Sequence, residues 1–147
     1  AFPGFETLAG YDPTYSVNSV VRNQVYTATG GADGGAVENQ LAIELYSPFS
    51  LGNYTFTGTE TYAACTHCGS LFLRCTSNTS ASCIGGSYLA QTGSINVISA
   101  PLTATGTVSV QLQNVKFVEW NFTSGVDSAV PGGRCVQLTS ESLSASY

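Results

Sequence analysis

The stretch TVSVQLQNVKFVEW, residues 107–120, decides the fold of this chain. Val108, Val110 and Leu112 alternate with Thr107, Ser109 and Gln111, so one side of an extended segment is apolar and the other polar. A period of two marks a half-buried β-strand, because successive side chains leave opposite faces of a sheet. From Val115 to Trp120 the pattern changes. Val115, Phe117, Val118 and Trp120 are apolar on both faces, which predicts an interior strand whose outer side is covered as well. Between the two parts, at Gln113-Asn114, the inward phase passes from even to odd positions, predicting a bulge or a tight hairpin.

The same alternation recurs on either side. Leu41, Ile43 and Leu45 share one face of the segment 41–46 and Glu44 the other, while Ile95 and Val97 point inward from 94–97. A closing strand follows the turn Pro131-Gly132-Gly133, from Cys135 to Thr139. Shorter strands are expected at 23–29, 53–56, 71–75 and 87–91, and no amphipathic helix of any length is visible. Eight to ten short strands punctuated by glycine turns predict an all-β chain. The favoured form is an antiparallel β-sandwich, with a jelly-roll arrangement among its variants and a β-barrel as the alternative. The 147 residues fit one domain, 1–147, with residues 1–20 as an irregular edge-wrapping segment. Gly30 to Gly35 reads as a mobile turn, since it lacks the Lys-Ser/Thr ending of a phosphate-binding loop.

Composition narrows the function classes. Charged residues are only 9% of the chain, against about 25% in an ordinary globular protein. The surface must therefore be covered by Ser, Thr, Asn, Gln and Gly. The formal net charge is −5, and Arg22, Arg74, Lys116 and Arg134 are scattered, so no basic stripe is available for phosphates. No segment approaches the roughly 20 apolar residues of a membrane-spanning helix. Such a chain is expected outside the cytoplasm, extracellular or at the outer cell surface, beginning as a mature chain would after signal removal. Sequons at Asn53, Asn78 and Asn121 would carry glycans only in a eukaryotic source.

Five cysteines, Cys65, Cys68, Cys75, Cys83 and Cys135, admit three chemistries. Structural disulfides are the leading one. Residues 71, 73 and 75 share a face, so Cys75 points to the core, and Cys83 closes the polar loop 76–82. A Cys75–Cys83 bridge would staple that loop, and Cys135 could reach back to Cys65 or Cys68. A zinc site is the second chemistry: Cys65-x-x-Cys68 has knuckle spacing, and Cys75 and Cys83 could complete a tetrahedron. Dithiol redox catalysis is the third. It needs the first thiol at a helix N-terminus, and Gly69 followed by a strand-like run removes that support.

Other chemistry is sparse. His67 is the single histidine, expected as an exposed loop residue, and no Gly-x-Ser-x-Gly elbow accompanies it. Glu119 and Glu44 are candidate paired carboxylates for glycoside hydrolysis. Asp12, Asp33 and Asp127 lie in loop-like stretches and are candidates for a calcium ion. Lys116 shares a face with Val118 and Trp120, as a snorkelling residue or half of a buried ion pair. The aromatic residues suffice for a face that recognises protein or glycan.

Gly52-x-Tyr54, Tyr62-x-x-Cys65-x-x-Cys68, Cys75, Cys83, the run 106–119 and Pro131-Gly132-Gly133-x-Cys135 carry a resemblance. Over about residues 40 to 146 the chain resembles an uncharacterised β-rich, cysteine-containing domain of exported proteins and lipoproteins from myxobacteria and their relatives. The resemblance implies export and attachment to the cell surface, with this chain as the ectodomain. It implies no activity. The expected function is thus a secreted or surface-tethered structural or interaction module without enzymatic activity or cofactor. The alternatives are an extracellular carbohydrate-active hydrolase and a metal-binding module at Cys65–Cys83, with Zn2+ or Ca2+ as the ion.

Overall fold

Ten strands make up the regular structure of the described residues: β1 (Phe5–Thr7), β2 (Pro13–Val20), β3 (Asn23–Gly31), β4 (Glu38–Tyr46), β5 (Gly52–Thr55), β6 (His67–Cys75), β7 (Ser87–Ser99), β8 (Thr107–Asn121), β9 (Ser128–Ala129) and β10 (Cys135–Ser146). The structure is a computed structural model that describes residues 5–7, 13–20, 23–31, 38–46, 50–75, 83–100 and 107–146, with side chains described in 41–46, 50–75, 83–100 and 107–142. The hydrogen-bonded order is β1-β10-β8-β7-β6-β4-β3-β2, with β5 added to β7 and β9 to β8. All pairings are antiparallel except β1 with β10.

Among the described residues this path is open, so the barrel alternative gives way to the antiparallel sandwich. Neighbours in the sheet are mostly neighbours in sequence. The connections are those of a meander, and the crossed connections of a jelly roll are not seen. Of the segment expected to be irregular, Phe5–Thr7 and Pro13–Val20 are strands, one at each end of the path.

Two long bent strands create the layers. The segments expected as separate strands at 87–91 and 94–97 are halves of β7, and those at 108–112 and 115–120 are halves of β8. The β7–β8 register shifts between Ala90 and Thr92 and again between Thr92 and Ser94. The phase change read at Gln113-Asn114 is therefore a bulge and not a hairpin. Asn114 has φ 49° and Gly93 opposite it φ 90°. A Cβ on residue 93 would collide with the Asn114 carbonyl, so only glycine fits. Asn tolerates the left-handed conformation that a β-branched residue would resist.

The bend redirects the ladder. The first half of β7 pairs with β6 over Ser70–Phe72, and its second half pairs with β5. Leu41, Ile43 and Leu45 of β4 can then share one core with Ile95, Val97, Val108, Val110 and Leu112. Gly69 of β6 faces this core, where an added Cβ would lie 3.1 Å from Ala90 and 3.5 Å from the Phe117 ring. The opposite face of β7, β8 and β10 carries a smaller cluster of Leu89, Val118, Trp120 and Cys135. That second cluster is the covered outer side expected from the doubly apolar run.

Candidate functional site

Trp120 needs both a cover and a hydrogen-bond acceptor, and two turns supply them. In the first, Thr61 O accepts the N–H groups of Ala64 (3.2 Å) and Cys65 (3.0 Å). In the second, Thr123 O accepts those of Val126 (2.9 Å) and Asp127 (3.3 Å), and Asn121 Oδ1 accepts the Thr123 amide at 3.0 Å. Asp127 joins the turns. Its Oδ1 accepts the Trp120 indole N–H at 2.8 Å and the Tyr62 amide at 2.9 Å, and its Oδ2 accepts the Ala63 amide at 2.9 Å. Burial works against the charged carboxylate, but the indole and the two amides outweigh it and hold Asp127 below the usual Asp range. The segment before the first turn is pinned through Glu60. Its carboxylate accepts from Thr57 N (2.7 Å) and Gly58 N (3.0 Å), and Gln91 Nε2 donates to its carbonyl at 2.9 Å.

Between the turns lies an open cleft of about 690 Å³, lined by Tyr46, Tyr62, Phe122, Cys65, Asp127 and neutral hydroxyls including Thr66, Thr123 and Ser124. Tyr62 packs edge-on against Phe122 at 5.2 Å between centroids, and Phe72 lies behind Phe122 at 5.8 Å. Tyr62 reaches across to β4, where its hydroxyl donates to Glu44 Oε1 at 3.0 Å. Burial pushes the Glu44 carboxyl above the usual range, and the Tyr62 and Tyr46 hydroxyls offset only part of that. Glu44 Oε2 is buried without a hydrogen-bond partner. Burial, and then the Glu44 charge, raise both tyrosines as well. A second, smaller hollow of about 400 Å³ lies beside Glu60, Gln91, Lys116 and Trp120. There Lys116 shares a face with Val118 and Trp120, as its position in the sequence predicts.

The cysteines pair locally. Cys75–Cys83 forms as expected, with the Cys75 side chain in the interior. Cys65 pairs with Cys68, at 5.5 Å between Cα atoms, and Cys135 is a buried free thiol. The expected link from Cys135 to Cys65 or Cys68 is thus not made. Cys135 begins β10 opposite Val118 and beneath the second cluster, and burial pushes its thiol pKa up. The four sulfurs offered as zinc ligands are consumed in disulfides. Among the described residues no group of three or more His, Cys, Asp or Glu is placed to hold a metal.

His67 corrects another expectation, since it is buried and not an exposed loop residue. It opens β6 pointing inward, its ring stacks on Tyr54 at 4.2 Å, and Nδ1 lies 3.1 Å from Thr66 Oγ1. Burial lowers its pKa, with the Ser50 backbone opposing. Glu119 and Glu44 are not brought together. Glu119 lies in register with Tyr88, Leu71 and Leu41, all core residues, whereas Glu44 alternates with Leu41, Ile43 and Leu45 and so faces outward. Three strand spacings, about 14 Å, also separate β8 from β4. Glu119 is engaged by Arg134, whose Nη2 lies 3.2 Å from Oε1 and whose amide donates to Oε2 at 2.8 Å; these contacts lower its pKa. Asp12, Asp33 and Asn78 lie outside the described residues, and Asn53 and Asn121 are exposed.

Tyr46, Tyr62, Phe122 and the joining role of Asp127 escaped the sequence reading. The available signal was the tryptophan: a covered Trp120 requires an acceptor, and Asp127 lies one turn downstream. Comparison with protein families, curated proteins and solved structures finds no match to this chain. What stands of the resemblance is an all-β, cysteine-containing domain.

Proposed function

We propose that this chain is a secreted or surface-tethered interaction module that recognises a neutral glycan in the cleft lined by Tyr46, Tyr62 and Phe122. One observation carries the reading: three aromatic rings and neutral hydroxyls line one open cleft, with Asp127 its single charged lining residue. Sugar rings present C–H faces that pack on aromatic rings and hydroxyls that need neutral donors and acceptors. The acidic surface disfavours polyanions. Two disulfides and a charge-poor surface support an extracytoplasmic setting, of the kind found in exported proteins and lipoproteins of myxobacteria.

The test is calorimetric titration of the oxidised protein with a panel of neutral oligosaccharides, beside Tyr62→Ala and Phe122→Ala. Binding by the wild type, weakened at least about tenfold in either variant, is the expected result, since a stacked ring contributes on the order of 1.4 kcal/mol or more. If no neutral oligosaccharide binds, or both variants bind as the wild type does, the reading is wrong.

A further inference from the structure

We infer that the Cys65–Cys68 disulfide is a reversible latch on this cleft, opened by a dithiol reductant. The inference rests on the cleft being the recognition site and concerns its regulation. Four observations meet here. The bond ties the Tyr62–Cys65 turn, one wall of the cleft, to the first residues of β6. The two sulfurs differ in access: Cys65 lines the cleft, while Cys68 is 1% exposed. Cys68 lies directly across the ladder from Glu44, on the outward face of both strands. Lastly, Glu44 Oε2 is buried and unpartnered in that position.

The other anchors of the turn are hydrogen bonds: from Tyr62 N and Ala63 N to Asp127 and from the Tyr62 hydroxyl to Glu44, all at exposed groups, and from Tyr46 N to Thr66 O and Gln91 Nε2 to Glu60 O at either end. Water competes for the exposed ones, so the covalent link is the strongest single tie between this wall and β6. The latch needs no helix dipole to activate Cys65, because the attacking thiolate belongs to the reductant.

The exchange balances. A thiolate of the dithiol attacks Cys65 Sγ, the Cys65–Cys68 bond breaks, and Cys68 leaves with the electron pair. That sulfur takes up a proton from solvent, relayed by the Glu44 carboxyl that lies across the ladder from it. The second thiol of the reductant then loses its proton and displaces Cys65 from the mixed disulfide, and Cys65 takes a proton from solvent. Two electrons and two protons have moved to Cys65 and Cys68, and the reductant leaves as a disulfide. Burial keeps Glu44 protonated to higher pH than an ordinary carboxyl. The groups facing it are Tyr62 from the turn, Tyr46 from its own strand and Cys68 from β6, with Val25 as its register partner in β3.

Trp120 is the built-in reporter, being the only tryptophan and sharing Asp127 with the turn. Oxidised protein is treated with dithiothreitol at neutral pH without denaturant, alkylated and mapped by mass. Trp120 emission, amide exchange and far-ultraviolet circular dichroism are followed alongside. The expected result is labelling of Cys65 and Cys68 with the β signal retained and a shift in Trp120 emission. Exchange at Tyr62 and Ala63 should rise about tenfold or more, and reoxidation should reverse these changes. Glu44→Gln should slow the reduction, and an unchanged rate would strike Glu44 from the step. Labelling only after global unfolding, or labelling with Trp120 emission and exchange unchanged, would overturn the latch. No glycan enters the assay, so its failure is distinct from failure of the binding reading.

Discussion

Replacing Asp127 with Ala removes the joint between the two turns and leaves the core untouched. Its carboxylate is the charged acceptor for the Trp120 indole, a contact worth about 1.5–3 kcal/mol, while each exposed amide bond adds about 0.5 kcal/mol. The residue also sits at φ 35°, where Ala is strained by about 1 kcal/mol. The expected loss for Asp127→Ala is therefore about 3.5–5 kcal/mol. Asp127→Asn keeps one acceptor oxygen and tolerates the backbone, and should lose about 1 kcal/mol. Asp127→Gly, which relieves the backbone but supplies no acceptor, should fall between them. Urea unfolding followed by Trp120 emission and by circular dichroism gives the free energies and shows whether the two probes coincide. The folded carboxyl titrates below its unfolded value near 3.9, so its stabilisation is complete well above that pH and is lost as pH falls through the folded value. Asp127→Asn should lose that acid-side dependence. An Ala variant within about 0.5 kcal/mol of wild type, or a Gly variant below Ala, would refute the joint.

Three further outcomes follow from the geometry. Gly93→Ala should cost about 3 kcal/mol or more, because the new Cβ meets backbone at Asn114; Gly125→Ala, at positive φ but in open space, should cost about 1 kcal/mol, and thermal melts separate the two. Glu44→Gln should be at least as stable as wild type at neutral pH. The folded carboxyl titrates above its unfolded value, so wild-type stability falls as pH rises from the unfolded through the folded pKa, and the variant's advantage should vanish under acid. Cys135→Ser should cost about 1–3 kcal/mol in urea unfolding by burying a hydroxyl in an apolar cluster, and Cys135→Ala less; equal losses would contradict the surroundings assigned to the thiol.

Alternation was legible wherever one face of a strand meets the core, and the cluster from Val108 to Trp120 carried the bulge and the covered outer face as well. The continuity of β7 and β8 was not legible. A bulge keeps the hydrogen-bond ladder running while it reverses the side-chain phase, and in a sequence that reversal looks the same as a strand end. Cys75–Cys83 was readable because both residues flank one short polar stretch of sequence. Cys65–Cys68 was harder to foresee, since its spacing fits a zinc knuckle and a redox motif as well as a bridge. His67 was misplaced for a related reason: its neighbours suggested a loop, but β6 starts at His67 and the strand's phase sends the ring inward onto Tyr54.

The cleft itself follows from the run that decided the fold. Val118 and Trp120 make β8 apolar on its outer side, so chain must lie over it, and the bend at Gly93 provides the passage. Phe56 donates its amide to Gly93 O and still packs in the main core, while Glu60, four residues on, is tied to Gln91 beside the outer face. The return turn after Asn121 brings β9 back against Trp120 and Asn121. The two covers come from separate parts of the chain and each satisfies most of its backbone groups within its own turn. Asp127 bridges them at one point, and the space they leave unfilled is lined by the rings that did the covering. The cleft is thus a consequence of burying Trp120, and its shape should respond to any change that loosens that cover.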